Sequence, residues 1–210
     1  MRAVAPYTDP ETSDETLARA AQQGELRALE ALLDRHQAKV LRVLGFLGVP
    51  GQDREDVAQE VFVRVFRHLK GFRPRQSFGA WIYRVTVNAA HDFRTRRGRT
   101  AAGEAPWQDV LERAPDERPG PAEVVRRKEL RRALSEALET LTERERSVFV
   151  LRELEGIETA DVARSLGIST ITVRRHLFRA RRRLQAVLGK RDEKTSLGVE
   201  RIVPGGSSHG

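Results

Sequence analysis

The stretch from Gly156 to Leu184, GIETADVARSLGISTITVRRHLFRARRRL, constrains the fold more than any other part of the chain. Val162 and Leu166 lie one helical turn apart, Gly167 takes up positive φ at no steric cost, and Ile168, Val173 and Leu177 supply facing apolar contacts. The spacing predicts two short helices joined by a tight turn. Ser169 is placed to cap the second helix. Its outer face carries Arg174, Arg175, Phe178, Arg179, Arg181 and Arg182, with no carboxylate between Ser169 and Arg191. A run of charge alone marks only a solvated surface helix, but on the second arm of a helix-turn-helix it seeks phosphate and base edges.

The rest of the composition agrees with a polyanionic partner. Lys and Arg number 38 against 30 Asp and Glu, a net charge of +8. The chain has no cysteine, which excludes disulfides and thiolate zinc sites, so an apolar core alone must hold it together. No apolar run approaches membrane-spanning length and residues 1–6 have no signal-peptide character, which points to the cytoplasm. No cofactor or metal site is read from the residues.

With 210 residues there is room for one large domain or two small ones. Helical periodicity fills 13–97 and 124–188, and sustained alternation is absent from both, so the expected class is all-α, two small helical domains. Between them, 98–123 is rich in Gly and Pro and carries Glu104, Asp109, Glu112, Asp116 and Glu117, the composition of a flexible acidic linker. Residues 1–12 and 189–210 read as disordered. In the first block, Leu26 to Leu47 follow one helical stripe that Gly48 and Pro50 end, Asp53 is a plausible N-cap for a helix through Val57, Val61, Val65 and Leu69, and a third helix spans 78–97. Three antiparallel helices then share one core. In the second block a helix through Leu130, Leu134, Leu138 and Leu141 precedes the capping box Thr142-x-x-Glu145, which opens a helix through Leu154, and the helix-turn-helix completes a four-helix unit.

Two further surfaces stand out. On the 78–97 helix, Trp81, Arg84, Asn88, His91 and Thr95 fall on one stripe, with Arg94, Arg96, Arg97 and Arg99 crowding its C-terminal end. Bases stack on rings while cations follow the backbone, so such a face suits single-stranded or melted nucleic acid. The plainer alternative makes Trp81 and Tyr83 half-buried core residues and the arginines partners of the helix dipole. On the 53–68 helix, Asp56, Gln59 and Glu60 accompany Phe62 and Phe66. A docking surface for a basic partner helix explains this mixture better than a metal-dependent nuclease using Asp53, Asp56 and Glu60, since no histidine lies in the same turn.

Together these segments resemble the extracytoplasmic-function sigma factors of bacterial RNA polymerase. Residues 56–66, DVAQEVFVRVF, look like the region 2 segment that docks on the polymerase clamp; 78–88, FGAWIYRVTVN, look like the segment that opens and reads the −10 element; 141–156 and the turn motif after them look like region 4, which reads the −35 element. The resemblance implies a non-enzymatic initiation factor with core RNA polymerase and promoter DNA as partners and an anti-sigma factor as its control. It assigns Asp56, Gln59, Glu60 and Phe62 to the polymerase contact. It assigns Asn88 to a base of the −10 element, with the 71–77 loop near a flipped-out base, and the expected −10 surface adds Arg73, Trp81, Arg84, Arg94, Arg96 and Arg97. It assigns Arg174, Arg175, Phe178 and Arg179 to −35 DNA and the acidic linker to the RNA exit path; the expected −35 surface also includes Ser169, Thr172 and Arg182, and because the later turns of a recognition helix approach the backbone, Arg182 and Arg183 are expected to hold phosphates. Two departures from the family pattern stand out. Glu158 stands where Ser or Thr caps the first turn-motif helix, leaving Thr159 as the alternative cap, and Arg175 and His176 replace a small residue and an arginine. The alternative function is a stand-alone helix-turn-helix regulator.

Overall fold

The computed structural model describes residues 12–73, 77–97, 134 and 136–192, and among them the only regular structure is helical. The acidic linker, the 74–76 loop tip and both expected disordered ends before Thr12 and after Asp192 lie outside the described residues. No described helix is long and apolar enough to cross a membrane.

The first block has one more helix than its periodicity announces. Ser13 caps α1, Asp14–Gln22, by accepting from the Thr16 amide at 3.2 Å, and Asp14 and Glu15 sit at the positive end of its dipole. Gly24, at φ 97°, breaks the pattern that otherwise runs on into α2, Leu26–Phe46, and Gly48, at φ 91°, ends α2 where expected. The third helix, α3, Gly51–His68, begins earlier than the sequence suggests. Pro50, not Asp53, holds the N-cap position, because its extended backbone launches the helix without a side-chain cap, and Asp53 lies inside the first turn. A short 3-10 turn, Leu69–Gly71, then leads toward α4, Phe78–Arg97.

In the second block the Thr142 capping box forms as expected: Thr142 Oγ1 accepts from the Glu145 amide and Glu145 Oε2 accepts from the Thr142 amide at 3.0 Å. It opens α5, Glu143–Phe149, which widens into a π-helical turn, Val150–Leu154, where the sequence led us to expect α-helix throughout. Next come α6, Thr159–Leu166, and α7, Thr170–Asp192, which runs past the expected Leu188 boundary. Glu158 occupies the N-cap of α6 without a side-chain bond, and Thr159 is the first helical residue, not the cap.

Helices α1 to α4 enclose a core built on Leu17, Leu32, Leu44, Val61, Phe78 and Ile82, while α5, α6 and α7 pack around Leu151, Val162 and Val173. The two groups are not separate, because α6 lies against α4. That second neighbour explains why Tyr83, Thr86, Val87 and Ala90 are buried on α4 while Val85 and Phe93, both on the expected apolar stripe, are only half-buried.

A buried polar group is among the contacts that fix α1 to this core. His36 on α2 is 3% exposed with its ring 5.3 Å from that of Phe78, and its Nε2 meets Asp14 Oδ2 at 2.7 Å. The His36 hydrogen bond, helped by Arg35 at 3.3 Å, holds the Asp14 carboxyl below its usual range. Replacing Asp14 by Asn weakens the partner of a buried imidazole, and a cost of about 1–3 kcal/mol is expected at neutral pH. A depressed carboxyl contributes stability above its unfolded pKa and loses it as the pH falls through the folded one. The melting-temperature gap between wild type and Asp14→Asn should therefore narrow below about pH 4; a gap constant from neutral to acid pH would contradict the pairing.

Candidate nucleic-acid and docking surfaces

The turn between α6 and α7 is made by Gly167, in the left-handed region at φ 64°, with the Ile168 amide returning to the Ala163 carbonyl at 3.0 Å. Ser169 caps α7 as expected: its Oγ accepts from the Thr172 amide at 3.1 Å and lies 2.8 Å from the Thr172 hydroxyl. Ser169 and Thr172 thus form a local pair at the helix start. Buried Val173, Ala180 and Leu184 fix the inward face of α7, which leaves Arg174, Arg175, Phe178 and Arg179 pointing out.

The arginines of α7 divide into two sets that charge counting does not distinguish. Arg181 bonds Glu153 at 2.9 Å, and Arg183 bonds buried Glu145 at 3.0 Å and the Thr140 carbonyl at 3.1 Å, so both brace α7 against its own domain. Arg174, Arg175 and Arg179 make no ion pair with a described residue, and Arg182 lies 5.9 Å over the Phe178 ring. Arg183, expected from its place in the run to hold phosphate, is tied in this structure to Glu145 and Thr140 of its own domain. Two large apolar side chains share the outer face: Phe178, 62% exposed, and Ile171, 68% exposed. Ile171 was not singled out from sequence, although its place two residues after the cap puts it on the leading turn.

On α4 the expected stripe is partly absorbed by the fold. Trp81 is half-buried, its ring 5.3 Å from Phe72 and 5.5 Å from Phe78. Arg84 and Asn88 are exposed beside it, as is Arg73 at the near edge of the loop. The C-terminal cations have partners across the helix pair. Arg96 bonds Glu60 at 2.8 Å, Arg97 pairs with Asp53 and stacks 5.6 Å from the Phe93 ring, and Arg94 approaches Glu143 at 4.0 Å. Thr95 turns inward on its own helix, donating to the His91 carbonyl at 2.9 Å.

These pairs also reassort α3. Glu60 receives Arg96 and Arg64, and the Arg96 bond is the largest influence holding its carboxyl below the ordinary range. Arg64 continues to Asp92 at 2.8 Å. Glu60 and Asp53 therefore staple α3 to α4, and among the described residues no group of three or more acidic or histidine side chains is placed to hold a metal. Asp56 and Gln59 are exposed, Phe62 is half-buried against the core, and Val63 and Phe66 stand out at 45% and 60% exposure. The outward strip is thus Asp56, Gln59, Val63 and Phe66, positions three and four apart, with Phe62 at its base. Phe66 is read from sequence as part of this mixed helix, whereas Val63, one turn after Gln59, is not.

The chain matches the family models "Sigma-70 region 2" over residues 32–100 and "Sigma-70, region 4" over 131–184. It is 32% identical over 182 residues to the ECF RNA polymerase sigma-E factor of Haemophilus influenzae, covering 82% of this chain and 94% of that protein. It is 31% identical over 174 residues to the ECF RNA polymerase sigma factor SigE of Mycolicibacterium smegmatis, spanning 83% of this chain and 66% of that longer protein. CnrH, solved in complex with the cytosolic domain of CnrY, matches with a TM-score of 0.63 at 28% identity, over 85% of this chain and 99% of that one. With both sigma-70 family models matched and a relative 32% identical over 94% of its length, the chain belongs to the ECF RNA polymerase sigma factors.

Proposed function

We propose that the chain binds core RNA polymerase through the outward strip of α3 and directs it to promoters, reading the −10 element with α4 and the −35 element with α7. It acts in the cytoplasm, carries out no chemistry of its own, and is held in check by an anti-sigma factor, as CnrH pairs with a cytosolic domain in its complex. The division into a region 2 unit over 13–97 and a region 4 unit over 124–188, joined by an acidic linker in the RNA exit path, belongs to the same reading.

The observation that carries it is the exposed apolar end of α3. A regulator that binds duplex DNA unaided has no need to keep Val63 and Phe66 in water on a helix whose other side already fills the core. An aromatic anchor flanked by Asp56 and Gln59 is what a partner helix with basic and apolar groups requires. On α4, Arg84 and Asn88 supply the open cation and amide beside a ring that is only half-covered, while Arg96 and Glu60 reach DNA or polymerase only by exchanging their mutual pair, and Arg97 only by leaving Asp53.

Truncating a buried anchor at an interface typically costs more than 1 kcal/mol. Phe66→Ala should therefore weaken the complex with core polymerase by about tenfold while leaving the melting temperature unchanged, because the ring is exposed in the free chain. Titration of labelled protein with core polymerase measures this. Wild-type affinity in Phe66→Ala would remove α3 as the docking surface, and tight promoter binding without core would favour the stand-alone regulator.

The sorting of α7 arginines predicts two different failures. Arg174→Ala removes a free guanidinium at the leading end of the recognition helix, where a bidentate contact to guanine is worth about 1–3 kcal/mol of discrimination. It should relax sequence preference at one or two upstream base pairs with no loss of stability. Arg183→Ala strips a charged bond from buried Glu145 and should lower stability by about 1–3 kcal/mol without altering the preferred sequence. Selection from randomised upstream elements, run beside thermal melts, separates them; a shifted consensus in Arg183→Ala with an unchanged melt would reverse the assignment.

A further inference from the structure

Ile171 on α7 carries a large apolar side chain that the fold does not use. It is 68% exposed, whereas the residues that seat α7 are buried Val173, Ala180 and Leu184, with Leu177 packed beside them. The turn that carries Ile171 is nonetheless held firmly. Ser169 Oγ accepts from the Thr172 amide at 3.1 Å and lies 2.8 Å from the Thr172 hydroxyl, and fully buried Val173 follows one residue later. A β-branched side chain has a restricted χ1. Ile171 therefore presents a fixed apolar surface that loses little freedom on contact.

The neighbours of Ile171 decide what that surface meets. Arg174 and Arg175 stand three and four residues on, one helical turn away on the same side, and neither makes an ion pair with a described residue. The next exposed apolar group on α7, Phe178, lies about 10 Å further along the axis, with the Arg182 guanidinium 5.9 Å over its ring. Two apolar groups separated by open cations do not make the contiguous patch that a protein partner buries. Duplex DNA fits the alternation. Phosphate and guanine meet guanidinium groups, and the major groove offers one apolar group of its own, the thymine C5-methyl.

We propose that Ile171 is a specificity-determining residue for the upstream promoter element, packing on the C5-methyl of one thymine. This rests on the reading above in which α7 enters the major groove, and it adds to that reading a base and an atom. Three residues of helix advance about 4.5 Å, and one base step about 3.4 Å. The thymine therefore lies one or two base pairs from the pair that Arg174 reads. Cytosine in its place presents an amino donor and no methyl, and an apolar side chain leaves that donor without a partner.

Replacing thymine by deoxyuridine removes the methyl and leaves the pairing edge intact, so it tests this one contact. Wild-type holoenzyme first selects its upstream element from a randomised library, and each thymine of the selected element is then replaced singly. At one position deoxyuridine should weaken promoter binding by wild-type holoenzyme about fourfold, the loss expected for one methyl group left out of contact. Holoenzyme carrying Ile171→Ala should bind the thymine promoter about fourfold more weakly than wild type and show no further loss with deoxyuridine. Ile171→Ser should behave alike, and both variants should melt with wild type because the side chain is exposed. Arg174→Ala should keep the methyl effect while relaxing preference at its own base pair. Deoxyuridine effects of equal size in wild type and Ile171→Ala at every thymine would overturn the assignment. So would a selected element with no thymine within two base pairs of the pair that Arg174→Ala relaxes. Failure of wild-type holoenzyme to select any upstream element is a separate result, which removes the reading of α7 and this inference with it.

Discussion

Everything in this molecule depends on the crowding of α4. Its 20 residues face α2 and α3 on one side, where Phe78, Ile82 and Ala89 complete the first core, and the second half on another, where the Ala80 carbonyl accepts from Ser165 of α6 and the Tyr83 hydroxyl donates to Glu155. What remains for solvent is a narrow strip that includes Arg84 and Asn88. A helix committed on two sides is held rigidly, which is what a base-reading surface needs, because side chains on a fixed backbone lose less freedom on binding. The same commitment ties the nucleic-acid face to the state of the interdomain contact.

Electrostatics in this chain sort cations more than they accumulate them. An excess of eight positive charges describes the whole sequence, yet individual arginines have very different freedom. Arg64, Arg96 and Arg97 are spent on carboxylates of α3 and α4, and Arg181 and Arg183 on Glu153 and Glu145. Arg84, Arg174, Arg175 and Arg179 make no ion pair with a described residue. Exposed ion pairs contribute little stability singly, about 0–1 kcal/mol, but they decide which cations can meet phosphate without first breaking a bond. Nucleic-acid affinity should therefore follow the second group.

Much of this was legible in the sequence where the determinants are local. The Gly167 turn, the Ser169 cap and the Thr142 to Glu145 box each depend on residues within four positions of one another, and each forms as read. The helix through Asp53 was located but its start was misplaced, because the residue type favoured a cap while Pro50 set the backbone. Helix α1 was not legible as a separate element: the stripe starts at Leu26, after the break at Gly24, and the nine residues of α1 were assigned only to a helical block. The pairings were not legible at all: Glu60 with Arg96, Asp53 with Arg97 and Arg42 with Glu155 join residues far apart in sequence, and the first two take Glu60, Arg96 and Arg97 out of the free surface. The outward Val63, Phe66 and Ile171 lay within reach of the helical spacing, but only the packing of α3 and α7 shows which side faces water.

The central claim is that one chain carries both a polymerase-docking strip and two promoter-reading faces, so that neither is useful without the other. Transcription reconstituted from purified core polymerase and a library of genomic fragments, with start sites mapped at nucleotide resolution, tests it most directly. The account predicts discrete starts that appear only when chain and core are both present, each preceded by shared sequences at two fixed upstream spacings. Starts identical to those of core alone, or a single shared element bound as tightly without polymerase as with it, would contradict it.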